Sequence, residues 1–169
     1  MEVKTYENFP GSIVFLTNLL SVSIYALGIL IISRTGIWFV VIYCLYCLWL
    51  EFRLLQKSCV NCYYYGRRCG LGKGIICARL FKQGNTEKFS SGSFTWINLL
   101  PDLMVTVIPL IFGIFLLIQK FSWLILLALL IMIILSTKGN AIIRGNYLCR
   151  YCRQRELGCL AEQLFSSSK

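Results

Sequence analysis

The chain has 169 residues, of which 57% are hydrophobic and only 14% charged, against roughly 25% charged in a water-soluble domain; its mean hydropathy is +0.71. This composition excludes an ordinary soluble enzyme domain and predicts a surface solvated largely by lipid. Seventeen Lys and Arg against seven Asp and Glu give a net charge of +10, and nine Cys stand beside no His, which removes Ser-His-Asp triads, HExxH and three-histidine zinc sites, and histidine-ligated haem.

The first apolar run, Ser12 to Ser33, carries no charge and as a helix spans about 33 Å, enough for a hydrocarbon core about 30 Å thick. It reads as a transmembrane helix and not as a cleaved signal peptide. No small-x-small cleavage site follows it, and the preceding tract (Glu2, Lys4, Glu7) is not basic. After Arg34-Thr-Gly36 a second run starts at Ile37, stays apolar to Leu50 and continues through Glu51 and Arg53, the latter placed to snorkel into the head groups. A third run is densest from Leu103 to Ile118, after Pro101-Asp102, and a fourth extends from Phe121 to Leu135. Two or three residues separate the members of each pair, so four crossings in two tight hairpins are expected.

Fifteen of the seventeen basic residues fall in the tail and long loops on one side, and only Arg34 and Lys120 in the hairpin turns on the other. The positive-inside rule therefore places both termini and the long loops in the cytoplasm of a cell or inner membrane. The positive charge also predicts attraction to anionic lipid head groups. It does not point to nucleic acid, for which a soluble basic domain would be needed.

Each half ends its hairpin with the same cysteine spacing. The first carries Cys59-Val-Asn-Cys62-Tyr-Tyr-Tyr-Gly-Arg-Arg-Cys69, the second Cys149-Arg-Tyr-Cys152-Arg-Gln-Arg-Glu-Leu-Gly-Cys159. Trp38 and Trp123 open the second helix of each half, and Ala78, Leu80 and Phe81 are matched by Ala161, Leu164 and Phe165. The fold class expected is thus an all-α membrane protein: four transmembrane helices as two duplicated hairpins in a parallel internal repeat, with a cysteine-rich cytosolic cap. The repeats are residues 1–92 and 93–169. Parallel repeats bring both triplets to one compartment. In a reducing cytosol, clustered cysteines are more often metal or redox sites than structural disulfides.

Six sulfurs cannot furnish two independent four-thiolate sites, but two bridging thiolates give each of two zinc ions four sulfurs. The twice-used Cys-x2-Cys-x6-Cys unit resembles the binuclear zinc cluster of fungal zinc-cluster transcription factors, in which six cysteines hold two zinc ions. The resemblance covers only Cys59 to Cys69 and Cys149 to Cys159. Residues 70–148, with two membrane helices, separate the triplets here, where that family has a short loop, and no DNA-binding role carries over. It implies that Cys59, Cys62, Cys69, Cys149, Cys152 and Cys159 form one cluster whose formal charge is offset by Arg67, Arg68, Arg150, Arg153 and Arg155.

Iron-sulfur chemistry at the same cysteines is the main rival, with Cys77 as a further ligand for the first triplet; the six-residue gap departs from ferredoxin-type spacing. Metal-free thiol or disulfide chemistry is a third reading. Cys44 and Cys47 share a helix face and suit packing, as does Cys77 in the segment Gly74 to Phe81. Flanked by Lys73, Arg79 and Lys82, that segment reads as an interfacial amphipathic helix. Asp102, acidic within an apolar pattern, is a functional candidate by default, but its distance from Ile118 puts it near the interface, as a cap of the third helix or partner of Arg53 or Lys138. Glu51 is expected as another interfacial partner. Tyr63, Tyr64 and Tyr65, with Trp96 and Trp123, suit the head-group level. The glycines from Gly70 to Gly74 lack P-loop spacing. The function expected is a non-catalytic, metal-stabilised docking or accessory module that engages lipid and another membrane or cytosolic protein. The alternatives are an iron-sulfur electron-transfer subunit of a larger membrane complex and a small ion or solute transporter using Asp102.

Overall fold

A computed structural model of the chain describes residues 5–85, 96–157 and 159. Lys4, Lys88 and Lys169, counted in the charge pattern, and Ala161, Leu164 and Phe165 of the second-half match lie outside the described residues. Among those described, regular structure is helical apart from one parallel bridge between Tyr6 and Cys152. The helices are α1 (Gly11–Ile32), α2 (Ile37–Lys57), α3 (Lys73–Leu80), α4 (Trp96–Gln119) and α5 (Trp123–Ile134). Among the described residues, four helical spans are long and apolar enough to cross a membrane: Gly11–Ile32, Ile37–Asn61, Leu99–Gln119 and Trp123–Tyr151.

The chain separates into two compact units. One comprises the described residues within Leu20–Glu51 and Thr95–Gly139. Its interior follows helical periodicity: Ile125, Ala128, Leu129 and Met132 on α5 are buried with Ile31 of α1, at the i, i+3, i+4, i+7 spacing of one face. A second cluster buries Ile32, Tyr43 and Cys47, which gives Cys47 a packing role. The opposite faces are apolar and open. Ile118, Trp38 and Trp123 are 79%, 77% and 76% exposed, and the two tryptophans sit where each second helix begins. At the tip between α1 and α2, Ser33 and Thr35 hydroxyls donate to the carbonyls of Leu30 and Ile32, the latter also accepting the Thr35 backbone N–H.

Two expectations change here. The fourth helical segment does not stop at Leu135: α5 opens into wider π-type turns over Leu135–Gly139 and Ala141–Leu148, which carry the helical path through the polar stretch to the second cysteine triplet. Asp102 does not cap the third helix either, because α4 begins six residues earlier at Trp96; it is an exposed residue of the second turn. Glu51 has a defined partner, accepting a 2.8 Å hydrogen bond from the Tyr25 hydroxyl.

The second unit gathers the described residues within Met1–Leu19, Phe52–Phe94 and Asn140–Lys169. Three stretches far apart in sequence, drawn from both halves, therefore form one body, and all six triplet cysteines and Cys77 belong to it.

Candidate metal centre

The two triplets fold alike. Cys59–Asn61 and Cys149–Tyr151 each form a single 3-10 turn, closed by Cys62 N–H donating to the Cys59 carbonyl and Cys152 N–H to the Cys149 carbonyl, both at 3.3 Å. The next turns also correspond at a shift of ninety positions. Tyr65 N–H donates to Cys62 O and Arg155 N–H to Cys152 O; Arg67 N–H donates to Tyr64 O and Leu157 N–H to Gln154 O. The second cysteine of each triplet accepts a backbone N–H from two residues on, Tyr64 for Cys62 and Gln154 for Cys152, with Arg155 adding another to Cys152. Such donors favour the thiolate over the thiol.

The triplets also bind each other reciprocally. The backbone N–H of Tyr63, just after Cys62, donates 2.7 Å to the side-chain oxygen of Gln154. The backbone N–H of Arg153, just after Cys152, donates 3.0 Å to the hydroxyl of Tyr64. Tyr64 and Gln154 are each 2% exposed, so Tyr64 is a core residue of this unit and not a head-group ring. Its hydroxyl in turn donates to the Tyr6 carbonyl.

Burial dominates the electrostatics of the sulfurs. It pushes the Cys62 thiol up to about 12, with the sulfurs of Cys152, Cys69 and Cys159 acting the same way against the Tyr64 N–H. Cys152 is pushed up to about 11, again chiefly by burial, with Cys159 and Cys69 as raising neighbours. Sulfurs of the two halves thus act on one another. No disulfide joins any of the nine cysteines. Among the described residues no three Cys, Asp or Glu side chains converge in an arrangement that would hold a metal ion. Cys77 is fully buried, its Sγ 3.6 Å from the Leu55 carbonyl.

Arg67 and Arg153 lie over the Tyr63 ring, 5.1 and 5.3 Å from its centroid, Arg150 lies over Tyr151, and Arg153 pairs with Glu7 at 3.2 Å. Arg67, Arg68, Arg150 and Arg155 are exposed.

Sequence reasoning missed the N-terminal strap. Tyr6 N–H donates to Tyr151 O, Phe9 N–H to Arg68 O, and the Asn8 side chain accepts from Arg68 N–H. Phe9 is 1% exposed, its ring against Tyr6 and Tyr64. The strap therefore ties to both triplets. Glycine makes two turns of this unit feasible. Gly72 takes a φ of +72° before α3, and a Cβ at Gly74 would run into the carbonyl oxygens of Tyr64 and Arg67.

The fold is that of an all-helical integral membrane protein with four candidate spans among the described residues. Comparison with protein-family models, with curated proteins and with solved structures gives no match.

Proposed function

We propose that this chain is a metal-stabilised docking or accessory module of the membrane, in which Cys59, Cys62, Cys69, Cys149, Cys152 and Cys159 hold two zinc ions as one shared centre that ties two duplicated hairpins together on the cytoplasmic face. The observation that carries this reading is the reciprocal pairing of the triplets, Tyr63 to Gln154 and Arg153 to Tyr64, between turns that repeat the same local geometry. Binding would draw the thiols inward and replace their protons, and the N–H donors at Tyr64, Gln154 and Arg155 are in place to stabilise the resulting thiolates. The charge pattern, fifteen basic residues on one side against two on the other, supports the cytoplasmic assignment.

The experiment is anaerobic purification of the full chain with metal analysis and an absorption spectrum. Two zinc ions per chain without visible absorbance support the proposal. Iron with an equal amount of sulfide overturns it in favour of an electron-transfer subunit using the same cysteines. A chain that neither retains nor takes up either metal overturns the metal reading altogether.

A further inference from the structure

The exposed face of α3 is left without a role by the metal centre. On this helix, Gly74 and Cys77 are buried, and Ala78 and Phe81 flank them. At 100° per residue the opposite side presents Ile76 and Leu80, 51% and 62% exposed, with Arg79 on one flank and Lys73 on the other. Exposed Lys82 follows.

Packing fixes the level of this face. The Cys77 thiol lies on the Leu55 carbonyl, and the Phe81 ring meets Phe52 edge-on with centroids 5.4 Å apart. Phe52 and Leu55 lie toward the Asn61 end of the candidate span Ile37–Asn61, and long basic side chains near the end of a span reach the phosphates.

We propose that α3 lies in the plane of the bilayer surface as a lipid-docking helix, with Ile76 and Leu80 inserted among the acyl chains and Lys73, Arg79 and Lys82 bound to anionic head groups. Lipid is the favoured occupant because apolar centre and basic flanks match the two layers of the interface in order, at a depth set by packing onto a membrane-spanning helix. The inference goes beyond the metal reading and does not depend on it.

The test reconstitutes the full chain, carrying the photo-cross-linker p-benzoylphenylalanine at position 76 or 80, in vesicles of phosphatidylcholine with or without phosphatidylglycerol. Position 48, on the exposed side of α2, serves as the buried-in-lipid control. Adducts to lipid are expected at 76 and 80, with phosphatidylglycerol enriched about threefold over its share of the vesicle. In Lys73→Gln/Arg79→Gln/Lys82→Gln the enrichment disappears, while labelling at 48 reports that the chain is still inserted. Absence of lipid adducts at both positions with position 48 labelled overturns the proposal, as does equal labelling of the two lipids. So does cross-linking of position 76 to another protein in place of lipid in native membranes.

Discussion

The hydroxyl of Tyr43 donates a 2.9 Å hydrogen bond to the carbonyl of Val105, which is the acceptor that Pro109, inside α4, leaves without its helical donor. An α-helix pairs the N–H of residue 109 with the carbonyl of residue 105, and proline has no N–H. Within lipid such an acceptor needs a partner from the protein, and here a tyrosine of α2 supplies it. Tyr43→Phe is expected to cost roughly 0.6 to 2 kcal/mol, the range measured for interhelical hydrogen bonds in membranes. Equilibrium unfolding in mixed micelles measures it. In a Pro109→Ala background the helix regains its own donor and the cost of Tyr43→Phe should shrink; equal costs in both backgrounds would show that the hydroxyl acts otherwise.

Tyr64 and Gln154 form the seam between the cysteine turns. Tyr64→Phe removes the hydroxyl that accepts from Arg153 N–H and donates to Tyr6 O, and Gln154→Ala removes the acceptor of Tyr63 N–H. Each change strips a partner from backbone groups in the interior of the unit, a loss of roughly 1 to 3 kcal/mol. Because both residues serve one seam, their effects should be non-additive. Hydrogen exchange gives the clearest reading: either single change should deprotect amides in both triplets, whereas deprotection confined to the mutated triplet would deny that the turns stabilise one another.

The spans were legible because lipid imposes a simple code, uninterrupted apolar residues over about twenty positions, and Gly11–Ile32 and Ile37–Lys57 fall close to the runs read from sequence. The cysteine spacing was legible too, and the structure places all six residues in one unit. What escaped depends on long-range pairing. Nothing in Tyr6, Asn8 or Phe9 announces a strap to residues 68 and 151. Tyr64 reads as a membrane-interface ring until Arg153 and Tyr6 are seen to occupy its hydroxyl. Arg67 and Arg153 read from sequence as counter-charges for thiolates; that both also lie over the Tyr63 ring, where a guanidinium gains from an aromatic face, depends on residues brought together by the fold. The π-type turns after Ile134 have no local signature at all.

Under a shared centre, Cys62→Ser and Cys152→Ser are equivalent. Each removes a sulfur from a cluster in which both zinc ions depend on bridging, so zinc should fall from two ions toward none in either variant. Independent sites would instead lose one ion and keep the other. Cys77→Ala is the contrast: it deletes a fully buried thiol, costing roughly 1 kcal/mol of stability as an unfilled small cavity, with both zinc ions retained. Metal analysis of the three purified variants decides between the models, and loss of zinc in Cys77→Ala would place that residue among the ligands.

The thiol acidities set the pH dependence. In the metal-free protein, Cys62 is pushed up to about 12 and Cys152 to about 11, so at neutral pH both carry protons that a metal must displace. Loading therefore releases protons, and affinity should rise with pH by about tenfold per unit for each thiol deprotonated in the limiting step. Zinc is accordingly lost as the solution is acidified. The metal-free unit behaves in the opposite sense. An unfolded cysteine ionises near its ordinary value of 9.0, below the folded values, so the thiols contribute their full stability below about pH 9 and lose it as the pH climbs toward 11 to 12. Competition with a chromophoric chelator between pH 6 and 8 checks the first limb, and alkaline unfolding of the metal-free chain checks the second. A zinc affinity flat across that range would exclude thiolate ligation by these residues.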